Sequence, residues 1–161
     1  MSPLERYAYL FAFSAHAATG QTRKYTGEPY IKHPKAVVEI LRTVPHTQEM
    51  LAAAWLHDVV EDTAVTLDQI EAFFGPEIAT LVEMVTDVSK PEDGNRAVRK
   101  AIDREHLGRA NATAQTIKLA DLIDNTRSIV ERDPEFAKVY LAEKREVLKV
   151  LTKGNEDLWV A

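Results

Sequence analysis

The chain has 161 residues, 45% apolar and 28% charged, with 20 basic against 25 acidic side chains, a net charge of −5 and no cysteine. That length suits a single domain that buries its own core, and the missing cysteines exclude disulfides, thiolate metal sites and cysteine nucleophiles together. The acidic balance does not fit a general nucleic-acid binder, although a bound cation and a few local Arg or Lys residues can reverse the sign of one pocket. The start, Met1-Ser2-Pro3-Leu4-Glu5-Arg6, lacks the basic-then-apolar layout of a signal peptide. No apolar run approaches the roughly 20 residues a membrane span needs, so a cytoplasmic location is expected.

Nearly every segment reads as helix. Leu4 to Ala18 places apolar residues at spacings of three and four with no breaker. Gly20 to Pro29 is a loop, and Pro34 suits the first turn of the next helix, which runs to about Thr43. After Pro45, His46 or Thr47 caps a strongly apolar helix, Met50 to Leu56, that ends near Val60. Thr66-Leu67-Asp68-Gln69 is a capping-box pattern opening a helix to Phe74, and Gly75-Pro76 stops it and starts another, reaching about Asp87. Ser89 to Gly94 is a polar loop. Arg96 to Arg109 is a charged helix with little apolar periodicity, expected to pack loosely or to cover a site. Asn111 or Thr113 starts a helix through Ile129, Asp133-Pro134 breaks it, and a final helix runs to about Thr152. With no hairpin signal, no repeat and no linker, the expectation is one all-α domain, a helical bundle, across residues 1–161.

The chemistry concentrates at the end of the most apolar helix. His57 and Asp58 follow Trp55-Leu56 directly, where polar groups are costly unless partnered, and Glu61 and Asp62 come next. In a continuous helix His57 and Glu61 lie one turn apart, as do Asp58 and Asp62. Imidazole with carboxylate is a mixed nitrogen and oxygen ligand set that suits Mn²⁺, Fe²⁺ or Zn²⁺. Two further ligands are on offer: His33, before Pro34, and Asp121, which interrupts the apolar run Ile117 to Ala120 with Asn125 one turn on. Each has an ordinary reading as well. Glu61 and Asp62 can be a solvated helix end, although carboxylates there oppose the macrodipole. His33 can be a surface or capping residue, and Asp121 can pair with Lys118 or Arg127. His16, His46 and His106 have no carboxylate neighbours of this kind and read as surface residues.

An early His, an adjacent His-Asp and a distant Asp resemble the pattern of HD-domain phosphohydrolases. The flanking runs narrow this. Arg23-Lys24, Gly27-Glu28-Pro29-Tyr30-Ile31 with His33-Pro34, Leu56 to Thr63, Phe74-Gly75-Pro76-Glu77-Ile78 and Lys118-Leu119-Ala120-Asp121 with Asn125 and Arg127 resemble the hydrolase domain of RelA/SpoT enzymes, over about residues 4–150. With no synthetase or regulatory domain following, the chain is similar to stand-alone small alarmone hydrolases.

The resemblance implies about ten helices and one Mn²⁺ ion, other divalent ions being possible, held by His33, His57, Asp58 and Asp121. It implies that Glu61 and Asp62 orient or activate a water, that Arg23 and Lys24 contact the nucleotide and its phosphates, and that Asn125 lies near the sugar. Tyr30 is left as packing. The implied reaction removes pyrophosphate from the 3′ position of guanosine tetra- or pentaphosphate, (p)ppGpp, a small-molecule substrate, with no nucleic-acid or membrane partner. Alternatives are an HD phosphohydrolase acting on a nucleoside monophosphate, an adenosine alarmone or the 2′-phosphate of NADPH, and a non-catalytic module that senses a nucleotide. The chain departs from the pattern at Asp124, where Tyr or His is expected, and at Leu122, where a basic residue is common. Residues 89–109 align least well, leaving open any phosphate contact by Lys90, Arg96, Arg99, Lys100 or Arg104.

Overall fold

The computed structural model describes residues 1–161. Ten α-helices follow one another: α1 Pro3–Thr19, α2 Lys32–Leu41, α3 Gln48–Leu56, α4 Val59–Asp62, α5 Leu67–Phe74, α6 Pro76–Val85, α7 Arg96–Gly108, α8 Ala112–Arg132, α9 Pro134–Leu148 and α10 Glu156–Val160. A single 3₁₀ turn, Pro91–Asp93, precedes α7. The all-α expectation holds, and no helix is long and apolar enough to cross a membrane.

The helix starts are set locally. Thr47 Oγ1 accepts from Met50 N at 3.1 Å, and Asn111 Oδ1 accepts from Ala114 N at 2.8 Å, so the cap of α3 falls to Thr47 and that of α8 to Asn111. The box at Thr66 forms in both directions, with Gln69 N donating to Thr66 Oγ1 and Thr66 N donating to Gln69 Oε1.

The core is built around α3 and α8. In α3 every residue from Met50 to Leu56 is buried. Its run Ala52-Ala53-Ala54 lets α1, which buries Ala8 and Ala12, pack close. One buried polar contact joins three helices here: the Glu5 carboxylate accepts from Arg42 and, at 3.3 Å, from Trp55 Nε1. The long α8 packs against α2, α3, α6, α9 and α10. Gln115, fully buried on α8, donates to the Leu107 and Val150 carbonyls and so ties α7 and the turn after α9 to it.

Among the boundaries that differ from expectation, three change how the chain packs. The helix containing Trp55 does not run on to Val60; it stops at Leu56, and Asp58 sits at φ −103°, ψ −1° before α4 begins. That bridge conformation re-aims the chain, a geometry common at functional sites. Second, α6 ends at Val85 because Thr86 turns extended, with its hydroxyl donating to the Val82 carbonyl at 2.6 Å. Third, α9 stops at Leu148 and a further helix, α10, follows Gly154. A Cβ on Gly154 would lie 2.5 Å from Leu119 Cδ1, so glycine lets this connector lie on α8 without displacing that side chain.

Candidate metal centre

Three segments deliver four side chains to one point. His33 comes from the first turn of α2, His57 and Asp58 from the break between α3 and α4, and Asp121 from the middle of α8. One ligating atom from each lies within 4.8 Å of all the others. His33 Nε2 is 2.8 Å from Asp121 Oδ1 and 3.6 Å from Asp58 Oδ2. His57 Nε2 is 3.1 Å from both Asp58 Oδ2 and Asp121 Oδ1. The other ring nitrogens are taken. His57 Nδ1 donates to the Ala54 carbonyl at 2.6 Å, the only direction a carbonyl allows. His33 Nδ1 lies 2.7 Å from Asp124 Oδ2 and donates to it, because Asp124 is held ionised. Both Nε2 atoms therefore face the shared point, oriented by partners behind them.

The electrostatics fit a cation. Burial opposes a charge on His33, but hydrogen bonds to Asp121 and Asp124 outweigh it and push the ring up to about 9. Burial opposes His57 too, and the charge of Asp58 with the bond to Asp121 holds it well above its ordinary value. Burial would raise Asp58, yet His57 brings it down to about 2. Asp121 lies well below the carboxylate range, since Lys118 and both imidazoles outweigh its burial. The pocket thus draws positive charge onto its nitrogens, and a divalent ion would meet the same field through the same atoms and release those protons. A buried set of two imidazoles and two carboxylates fits such an ion.

Around this cluster the structure assigns contacts that spacing did not reveal. Tyr30 is not mere packing: its hydroxyl donates to Asp58 Oδ2 at 2.6 Å, and burial together with the Asp58 charge raises its pKa, so it stays a donor. Lys118 Nζ lies 3.0 Å from Asp121 Oδ2, so the ordinary helix pairing and the ligand geometry hold at once. His16 is buried, not on the surface; its ring centroid is 4.7 Å from that of Tyr30, and burial lowers its pKa. His46 is exposed, and the half-buried His106 donates from Nε2 to the Glu83 carbonyl at 2.9 Å.

The two acids of α4 differ. Asp62 is half-buried and one turn from Asp58, with its N–H bonded to the Asp58 carbonyl at 3.0 Å; burial and then the Asp58 charge raise its pKa. Glu61 keeps contact with solvent and accepts from the Asp87 N–H at 2.5 Å. Its carboxyl is pushed up to about 7 by the shielded surroundings of its inner side, then by the Asp87 charge.

Two cavities flank the cluster and meet at Asn125, whose Nδ2 is 3.3 Å from Asp121 Oδ1. The first, about 150 Å³, is lined by Arg23, Lys24, Tyr25, Tyr30, His33 and Ser128 among others. Arg23 donates to Asp124 Oδ2 at 2.9 Å and Ser128 Oγ at 3.4 Å, while the exposed Lys24 reaches over the rings of Tyr25 and Phe136. The second, about 230 Å³, lies between α7, α8 and α9 and gathers Arg96, Lys100, Arg104, Lys118 and Lys144 against Asp87, Asp103 and Glu143. Arg96 is spent on Glu143 and Lys118 on Asp121, but Lys100, Arg104 and Lys144 make no ion pair. The charged helix α7 therefore covers the site, and it is pinned where buried Asp103 accepts from Val88 N, Ser89 N and Ser89 Oγ. Lys90 and Arg99 do not line this cavity, whereas Tyr140 and Lys144 do. No sequence signal singled out those last two, because the same spacing of charges runs all along α9. Asp124 points away from the basic cavity, toward Arg23 and His33.

Comparison with known proteins agrees with this geometry. A family model described as an HD domain matches residues 8–153. A protein of Synechocystis named probable guanosine-3′,5′-bis(diphosphate) 3′-pyrophosphohydrolase is 39% identical over 147 residues, 89% of this chain and 19% of that protein. The bifunctional (p)ppGpp synthase/hydrolase SpoT of Escherichia coli is 38% identical over 149 residues, 91% of this chain. The chain spans only 19% and 21% of the length of these two relatives. Among solved structures, a metazoan ortholog of SpoT, described as hydrolysing ppGpp, superposes with a TM-score of 0.88 at 30% identity over 99% of this chain and 92% of that one. A Listeria monocytogenes protein gives a TM-score of 0.67 at 30% identity over 84% of this chain. By sequence and by fold, this chain belongs to the HD domain family, on its SpoT-type branch.

Proposed function

We propose that residues 1–161 act as one HD-type hydrolase unit, a metal-dependent guanosine-3′,5′-bis(diphosphate) 3′-pyrophosphohydrolase that converts (p)ppGpp to GDP or GTP and pyrophosphate. The observation that carries this is the convergence of four ligating atoms within 4.8 Å beside a cavity holding three cations without ion-pair partners. The names of the relatives support the substrate. In this reading His33, His57, Asp58 and Asp121 hold the ion, Mn²⁺ by preference. When bound, it supplies Lewis acidity toward a phosphoryl oxygen and a water.

The chain's own residues do the rest. Asp62, one turn from Asp58, its pKa raised by burial and then by the Asp58 charge, orients the attacking water. Glu61, poised near neutrality, takes up its proton. The water oxygen joins the phosphorus next to the ribose 3′ oxygen. The bond from that phosphorus to the 3′ oxygen breaks, the 3′ oxygen receives the proton collected from the water, and pyrophosphate leaves. Phosphoryl transfer needs mainly alignment and charge neutralisation. Lys100, Arg104 and Lys144 face the cavity that would receive phosphates, while Arg23, Lys24 and Asn125 contact the nucleoside side.

The test is hydrolysis of guanosine tetraphosphate with and without Mn²⁺, with products identified. Mn²⁺-dependent release of pyrophosphate and GDP is expected. Release of inorganic phosphate only, or preference for a nucleoside monophosphate, an adenosine alarmone or NADPH in the same panel, overturns the substrate. Tight nucleotide binding without turnover overturns the enzyme.

A further inference from the structure

Asp124 stands where the resemblance leads one to expect Tyr or His, and the structure gives that departure a use. Its Oδ2 accepts two bonds from distant segments: one from His33 Nδ1 at 2.7 Å and one from the Arg23 guanidinium at 2.9 Å. The side chain of His33 is only 3% exposed, so bulk solvent does not reach its ring. Asp124 lies three residues beyond Asp121 on unbroken α8, so its carboxylate is fixed relative to a cluster residue by helix geometry alone. Arg23 has a rigid base of its own, because its backbone exchanges bonds with Glu28 and Gly27 and the loop closes at a Thr22–Pro29 bridge.

We infer that Asp124 is a positioning residue that joins the cation site to the nucleotide side of the cleft, holding His33 Nε2 toward the ion and Arg23 toward the substrate through one shared oxygen. Behind His33 it fixes the ring orientation and the tautomer that leaves Nε2 free to ligate. Beside Arg23 it pre-orders a long side chain that would otherwise lose its freedom only when the nucleotide arrives. Neither a tyrosine nor a histidine at this position offers an ionised oxygen to a ring N–H and a guanidinium at once. The coupling therefore depends on the aspartate carboxylate. The nucleotide half of the inference rests on the reading given above; the cation half stands on geometry alone.

The experiment is a Mn²⁺ titration without nucleotide, on the wild-type chain, Asp124→Ala, Asp124→Asn and Arg23→Gln, followed by KM and kcat on guanosine tetraphosphate. Asp124→Ala is expected to weaken Mn²⁺ binding by about 10- to 100-fold. Arg23→Gln should leave Mn²⁺ affinity within about threefold and raise KM by about tenfold, the loss of one charge-assisted contact. Combining Arg23→Gln with Asp124→Ala should raise KM less than the product of the single effects, because both act through one tether. Asp124→Asn keeps a carbonyl oxygen able to accept from both partners and should fall between wild type and Asp124→Ala in both measurements. It also carries the test if the alanine variant does not fold, as judged by thermal melting without metal. Unchanged Mn²⁺ affinity in a folded Asp124 variant overturns the cation half. Independent, fully multiplying effects on KM overturn the coupling. If wild type binds Mn²⁺ but does not turn over guanosine tetraphosphate, the proposed substrate fails and takes the nucleotide half with it, while the titration still decides the role of Asp124 at His33.

Discussion

The α3–α4 break and the middle of α8 supply the same cluster by opposite means. Along α3, seven of nine residues are buried, and the site begins where the helix stops. His57 is held by a backbone carbonyl, that of Ala54, and Asp58 sits in a bridge conformation. On α8 the helix runs unbroken for 21 residues, and Lys118, Asp121, Asp124, Asn125 and Ser128 fall on one stripe at spacings of three and four. There the contacts among site groups are between side chains: Lys118 and Asn125 to Asp121, and Arg23 and His33 to Asp124. One region sets geometry through the core and the backbone. The other sets charge on a rigid rod. Changes in the first should move the site, and changes in the second should retune it in place.

Removing a ligand from either region gives the largest effect. Asp58→Ala and Asp121→Ala should each lose stoichiometric Mn²⁺ and turnover, read by metal analysis and product release. They should differ in stability: Asp121→Ala strips Lys118 of its ion-pair partner, so its melting temperature should fall further than that of Asp58→Ala. Equal melting temperatures, or metal retained at the wild-type level in either variant, would contradict the assignment.

The acids of α4 come next. Asp62→Ala should keep Mn²⁺ and reduce turnover by roughly 10²- to 10⁴-fold. Since Glu61 works as a base only when deprotonated and its carboxyl is pushed up to about 7, kcat/KM should rise as pH passes through neutrality. Glu61→Gln should flatten that rise in a pH–rate profile. A rise that survives the substitution assigns the titration to another group.

Smaller effects test the supporting regions. Leu51→Ala, at a fully buried position on α3, should cost about 2–5 kcal/mol in denaturant unfolding. Because the break that aims His57 rests on this core, Mn²⁺ affinity should weaken with it. The smallest effects belong to the caps: Thr47→Ala and Asn111→Ala should each cost about 1 kcal/mol and leave Mn²⁺ affinity unchanged.

The legible residues fall into two kinds. A cap such as Thr66 is decided within four residues, so the pattern Thr66 to Gln69 was enough. His33, His57, Asp58 and Asp121 were legible for a different reason. Each is weak alone, and together with Arg23-Lys24 and the acidic pair they form a motif that resembles one family. Tyr30 escaped because an aromatic beside a proline reads as packing until its hydroxyl is found against Asp58. Lys144 escaped because one lysine on a charged helix looks like any other. Asp124 is visible in the sequence as a departure from the family pattern, but nothing local shows that its carboxylate lies behind His33.

The sequence by itself determined that the chain is helical, where most helices begin, and which four side chains to suspect. Those depend on propensity, capping and motif, all of which act over a few residues. Tertiary structure alone decided that α3 stops at Leu56, that one oxygen of Asp124 serves both Arg23 and His33, and that the cations of α7 and α9 face one cavity. The contacts at Asp124 span sequence separations of 91 and 101, and α7 and α9 reach the cavity from separate stretches of the chain. They are set by how buried faces pack, which no local pattern encodes.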